Sequence, residues 1–71
     1  MSNSVDWVYA SGSTWVSFDP MAQQMLEHLW RKEYAATWIA SQSFRGPVFV
    51  DITEMTALYG SYAYTIARRK C

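Results

Sequence analysis

The sequence predicts an α+β fold: about six short antiparallel strands packed on one α-helix. Three observations point there. Only residues 20–33 space their apolar side chains at helical period, while the segments before and after alternate at strand period. Turn chemistry separates those segments at Ser11-Gly12-Ser13, Arg45-Gly46-Pro47 and Gly60-Ser61.

In chain order, residues 1–5 read as a disordered polar leader. Asp6 to Ala10 alternates, with Trp7 and Tyr9 on one face and Val8 and Ala10 on the other. Trp15 to Phe18 forms a second short strand, so the two make a hairpin. Asp19 then suits the N-cap, where its carboxylate accepts from first-turn amides, and Pro20 suits the first helical position, where its missing N–H costs nothing. Met21, Met25 and Leu29, with Ala22, Leu26 and Trp30, mark a broad apolar stripe over a helix at 20–33. Gln23, Gln24, Glu27, His28 and Arg31 fall outside it, and Glu27 is spaced for an i,i+4 pair with Arg31. Ala35 to Phe44 predicts a strand with Trp38 and Ile39 on opposite faces. Pro47 suits only a strand start or edge, and Val48 to Ile52 is the next strand. Residues 53–59 fit either a helical turn or a continuation of the sheet. Tyr62 to Arg69 alternates again, setting Tyr62, Tyr64 and Ile66 against Ala63, Thr65 and Ala67.

All 71 residues are expected in a single domain, 51% apolar and 17% aromatic, which is a dense core for so short a chain. Net charge is zero, so the overall field offers nothing to nucleic acid or anionic membrane. No apolar run approaches the length of a membrane span, and no secretory leader is expected. Cys71 is the single cysteine, which excludes an intramolecular disulfide and fits an intracellular setting, cytoplasm or nucleus.

No enzyme is expected. His28 falls on the polar helix face, Cys71 lies at the terminus, and Asp6, Asp19, Glu27, Glu33, Asp51 and Glu54 are scattered without dyad spacing. One histidine and one cysteine cannot close a metal site, and no glycine-rich phosphate loop is present. Neither a catalytic residue, a metal nor a cofactor is therefore assigned. Flat rings on strands (Trp7, Tyr9, Trp15, Tyr62, Tyr64) together with Arg68 and Arg69 suit a ligand with a planar base and an anionic group. In so short a chain most such rings serve simply as core, and a terminal basic cluster is usually a solvated end.

The order of these features, Trp7-x-Tyr9, then Trp15, then Leu26-Glu27, then Val50-Asp51-Ile52-x-x-Met55, then Ile66-x-Arg68-Arg69, resembles the WWE (tryptophan–tryptophan–glutamate) domain from Asp6 to Arg69. The signature residues would be Trp7, Trp15 and Glu27. The resemblance implies an antiparallel half-barrel wrapped on one helix. It also implies a place in ubiquitin-ligase or ADP-ribosylation pathways, and binding of iso-ADP-ribose or terminal ADP-ribose at the open end. In the family, aromatic rings sandwich the adenine and basic side chains hold phosphate. Tyr9 and Arg68 match such positions, and Tyr64 offers a stacking ring. Glu27 is implied to be structural, bonded to the neighbouring hairpin. Three positions depart: Val48 replaces a tyrosine, Ala57 a glutamine, and Tyr64 an inward arginine.

The expected function is recognition of an ADP-ribose-type nucleotide or an ADP-ribosylated protein by Tyr9, Tyr64 and Arg68. The alternatives are a protein-interaction module of the same fold with a degenerate pocket, and single-stranded RNA binding through Tyr62, Tyr64 and Arg68 to Lys70.

Overall fold

The structure, a computed structural model, describes residues 4–32 and 36–70. Its elements are β1 (Val5–Ser11), β2 (Thr14–Ser17), α1 (Pro20–Lys32), β3 (Ala36–Ile39), β4 (Val48–Asp51), β5 (Thr56–Tyr59) and β6 (Tyr62–Lys70). The strands form one antiparallel sheet in the order β2-β1-β6-β5-β4-β3. The sheet is open and curls around the helix, so that α1 lies against both β1 and the edge strand β3. This is the α+β arrangement expected from the sequence, in half-barrel form.

Both tight hairpins turn on a Gly-Ser pair. Ser11 pairs with Thr14 and Tyr59 with Tyr62, leaving Gly12-Ser13 and Gly60-Ser61 as two-residue loops. The glycines take φ of 63° and 60°, the positive value that the first position of such a loop needs for the strands to keep their twist. At Asp51 to Met55 the chain turns differently: the Asp51 carboxylate accepts the Glu54 amide at 3.1 Å. Met55 itself adopts φ 53° without being a glycine. Its carbonyl accepts the Ile66 amide at 3.0 Å, which ties the strained residue to β6. Residues 53–59 thus resolve into a turn followed by β5, with no helix.

The inner sheet face carries Trp7, Ile39, Val48, Val50, Ala57 and Ile66, which close over Ala22, Leu26 and Leu29 of α1. Leu26 is fully buried, a position at which truncation to alanine removes on the order of 2–5 kcal/mol.

Three expectations need correction. The helical stripe is narrower than six residues, because a single curved sheet covers one side of the helix only; Met21, Met25 and Trp30 are exposed. The third strand spans four residues and stops at Ile39. Beyond it Ser41 and Gln42 are drawn off the sheet by Asp19, whose Oδ1 accepts the Ser41 hydroxyl at 2.6 Å and the Gln42 amide at 3.0 Å. Val5, read as the last leader residue, is the first residue of β1 and packs against the core. The expected helix end at Glu33, the expected strand start at Ala35, residues 1–3 of the expected leader and Cys71 lie outside the described residues.

Candidate functional site

Two clusters occupy the inner face, one at each end of the half-barrel. Register fixes which residues enter each. Trp7 faces Arg68 across the β1–β6 pair, and Tyr9 faces Ile66. Tyr64 lies two residues further along β6, and Arg68 is four residues from Tyr64, about 13 Å along an extended strand.

The first cluster gathers Trp7, Glu27, Trp30 and Arg68. The Trp7 indole Nε1 donates to Glu27 Oε1 at 2.9 Å. Arg68 grips the same carboxylate with a fork, Nε to Oε1 at 2.9 Å and Nη2 to Oε2 at 2.7 Å. Its guanidinium lies 5.1 Å over the Trp30 ring, and that ring meets Trp7 edge-on at 5.9 Å. The hydrogen bonds from Arg68, assisted by Trp7 and by the charge of Arg31, outweigh burial and hold the Glu27 carboxyl at about 2. The expected Glu27–Arg31 pair is present at 3.5 Å, but Arg31 is highly exposed, so that contact is the minor one. Glu27 is thus structural: it bolts α1 to β1 and β6.

Beside it, Gln23 does what a peptide group does. The Trp7 amide donates to Gln23 Oε1 at 2.7 Å, and Gln23 Nε2 donates back to the Trp7 carbonyl at 2.8 Å. The Phe18 amide also donates to that carbonyl at 3.0 Å, so Phe18 and the Gln23 side-chain amide together continue the ladder along β1 beyond the end of β2. The same Nε2 also reaches the Phe18 carbonyl at 3.1 Å and Asp6 Oδ1 at 2.9 Å. Burial resists ionisation of Asp6, yet hydrogen bonds from Ser17, Arg69 and Gln23 keep its carboxyl below the ordinary value. Gln23 was missed in the sequence; its only signal was its place one helical turn before Glu27.

The second cluster is aromatic. Tyr9 and Tyr64 meet edge to face at 5.7 Å. Phe18, just beyond β2, lies 4.9 Å from Tyr9. Phe44, from the irregular loop 40–47, enters among them: it lies 5.1 Å from Tyr9, 5.2 Å from Tyr59, 5.4 Å from Tyr64 and 6.3 Å from Phe18. On its far side a shallow hollow of about 490 Å³ is bounded by Trp38, Ile39, Phe44, Arg45 and Pro47. Phe44 and Tyr59 were not singled out from the sequence. Asp19 anchors the start of the loop while its Oδ2 caps the helix at the Ala22 amide, 3.3 Å away. Burial resists ionisation of Asp19, but hydrogen bonds from Ser41, Ala22 and Gln42 prevail and lower its pKa.

Of the three residues assigned to ligand from the sequence, the structure brings Tyr9 and Tyr64 together and places Arg68 in the other cluster, on Glu27. Of the three signature residues it joins Trp7 and Glu27. Trp15 pairs with Ala10 on the outer face of edge strand β2 and is half exposed. Val48 and Ala57 are fully buried and present no polar group. Arg69 pairs with Asp6 at 3.1 Å, so both arginines of the terminal cluster face carboxylates. His28 is exposed on the helix, and no metal-binding group of three or more His, Cys, Asp or Glu occurs among the described residues. No helix among them is long and apolar enough to cross a membrane.

No protein-family model matches the chain, and a search of curated proteins finds no match.

Proposed function

We propose that this chain is a non-enzymatic recognition module for a nucleotide of the ADP-ribose class, free or attached to a protein, acting in ADP-ribosylation or ubiquitin-ligase pathways. The ligand's planar base would sit at the Tyr9–Tyr64 end of the half-barrel. The observation that carries this is the convergence of Tyr9 and Tyr64 from β1 and β6 at 5.7 Å, in the same end as Phe18 and Tyr59. Aromatic faces contribute about 1–3 kcal/mol for each base stacked on them. Arg68 is already bonded to Glu27, so its role here is to hold the frame, and Arg45, exposed beside Phe44, would meet the phosphate. Affinity is expected to be modest, because Val48 and Ala57 supply neither ring nor amide. Calorimetric titration with ADP-ribose tests this: Tyr9→Ala should weaken binding by about tenfold or more. A dissociation constant that Tyr9→Ala leaves unchanged contradicts it.

A second reading has its own observation. On the outer face, Trp38 pairs with Phe49, Phe49 with Leu58 and Leu58 with Ala63, making one apolar row across β3, β4, β5 and β6. Trp38 is 62% exposed and Leu58 42%, and such exposed rows mark protein contacts. A protein-interaction module would use that face and leave the aromatic end alone.

A further inference from the structure

Phe44 is the odd member of the aromatic cluster. Tyr9, Tyr59 and Tyr64 project from strands, and Phe18 sits where β2 hands over to α1, so all four are held by the sheet and the helix start. Phe44 alone arrives from a loop with no regular structure, and it is the ring that touches every other one. Its loop is fastened at one end only by polar contacts: Ser41 and Gln42 to Asp19, and the Phe44 amide to the Ser41 carbonyl at 3.2 Å. A Cβ added at Gly46 would meet the Tyr59 ring at ordinary contact distance, 3.7 Å, so the loop passes close to Tyr59 without a tight approach. A phenyl ring is a flat hydrocarbon of the same thickness as a purine. Withdrawn, it leaves a slot walled by four aromatic rings.

On the basis of the binding role above, we propose that Phe44 is an internal plug. It occupies the slot for the ligand's planar ring, and the ligand's base and Phe44 compete for the same four aromatic walls. The loop swings outward when the base enters, and the tether at Asp19 is its hinge. Only the fraction of molecules with Phe44 withdrawn binds, so the apparent dissociation constant is raised in proportion to how rarely that occurs. A wall residue would behave in the opposite way, because removing it would delete a stacking surface.

Titration of ADP-ribose into the wild-type chain, Phe44→Ala and Phe44→Leu tests this, with ribose 5-phosphate as a probe lacking the base. Phe44→Ala is expected to bind ADP-ribose about tenfold tighter or more, while ribose 5-phosphate shows no gain. Phe44→Leu fills the core nearly as well without a flat ring; it secures the comparison should Phe44→Ala melt near assay temperature, and it should bind tighter than wild type by a smaller factor. Equal or weaker binding by both variants overturns the plug and leaves the binding role standing. No binding by any of the three at millimolar ADP-ribose overturns both.

Discussion

The Glu27 carboxylate and the Arg68 guanidinium, 41 residues apart in sequence, meet through two parallel hydrogen bonds of 2.9 and 2.7 Å, with only about a fifth of each side chain exposed. One carboxylate also receives the Trp7 indole, so the helix, the first strand and the last strand are joined at a single residue. Its low pKa has a consequence for stability. The Glu27 carboxyl moves from 4.5 to about 2 on folding, so the ionised form is the one the fold favours. Its contribution, on the order of 2 kcal/mol at this partial exposure, is complete above about pH 4.5 and is lost as pH falls towards 2. Glu27→Gln should therefore lower stability at neutral pH by about 2–4 kcal/mol, since it leaves a largely buried guanidinium without a counter-charge. The gap between variant and wild type should close as the pH of urea unfolding is lowered from 5 to 2. A gap independent of pH would contradict this.

Gln23 should rank among the most sensitive polar positions. Its replacement by alanine strands the Trp7 amide and removes one of two donors to the Trp7 carbonyl, which keeps the Phe18 amide at 3.0 Å, a loss of about 1–3 kcal/mol. Gln23→Glu should be no better. A carboxylate can still accept from the Trp7 amide, but it cannot donate to the carbonyls of Trp7 and Phe18 and it stands beside the Asp6 carboxylate. Chemical denaturation of both variants reads this directly; a carboxylate variant as stable as wild type would contradict the peptide-like role.

Asp19 holds two elements at once, the helix start and the loop that carries Phe44. Asp19→Ala should cost about 1–2 kcal/mol, in the range of a lost helix cap. It should also speed hydrogen exchange at the Gln42 amide, whose acceptor is the Asp19 carboxylate. Because ionisation of Asp19 is favoured in the fold, acid should loosen the same contact: exchange at Gln42 relative to a helix-interior amide should rise as pH falls below about 4.

The fold was legible where local chemistry decides it. Gly-Ser at each tight turn, Asp19-Pro20 at the helix start and the alternation of Tyr62 to Arg69 each specify structure within a few residues. What was not legible depends on partners far away in the chain. Nothing around Ala40 announces that Asp19 will pull the chain off the sheet, and nothing at Met55 announces a positive φ. At the site, Tyr9 and Tyr64 could be singled out because both are aromatic residues on strands. Phe44 could not, because its meaning depends on rings contributed by β1, β5, β6 and the link between β2 and α1. Arg68 was read as ligand-facing from its place at the end of a strand, and only the folded register shows it beside Trp7 and Glu27.

The most direct test of the binding role is an amide shift map of the wild-type chain titrated with ADP-ribose to millimolar concentration. Shifts concentrated at Tyr9, Phe44, Tyr59 and Tyr64, with Trp38, Phe49 and Leu58 unmoved, are the predicted result. A map that leaves the Tyr9–Tyr64 end unchanged, or that moves only the outer row, would contradict it.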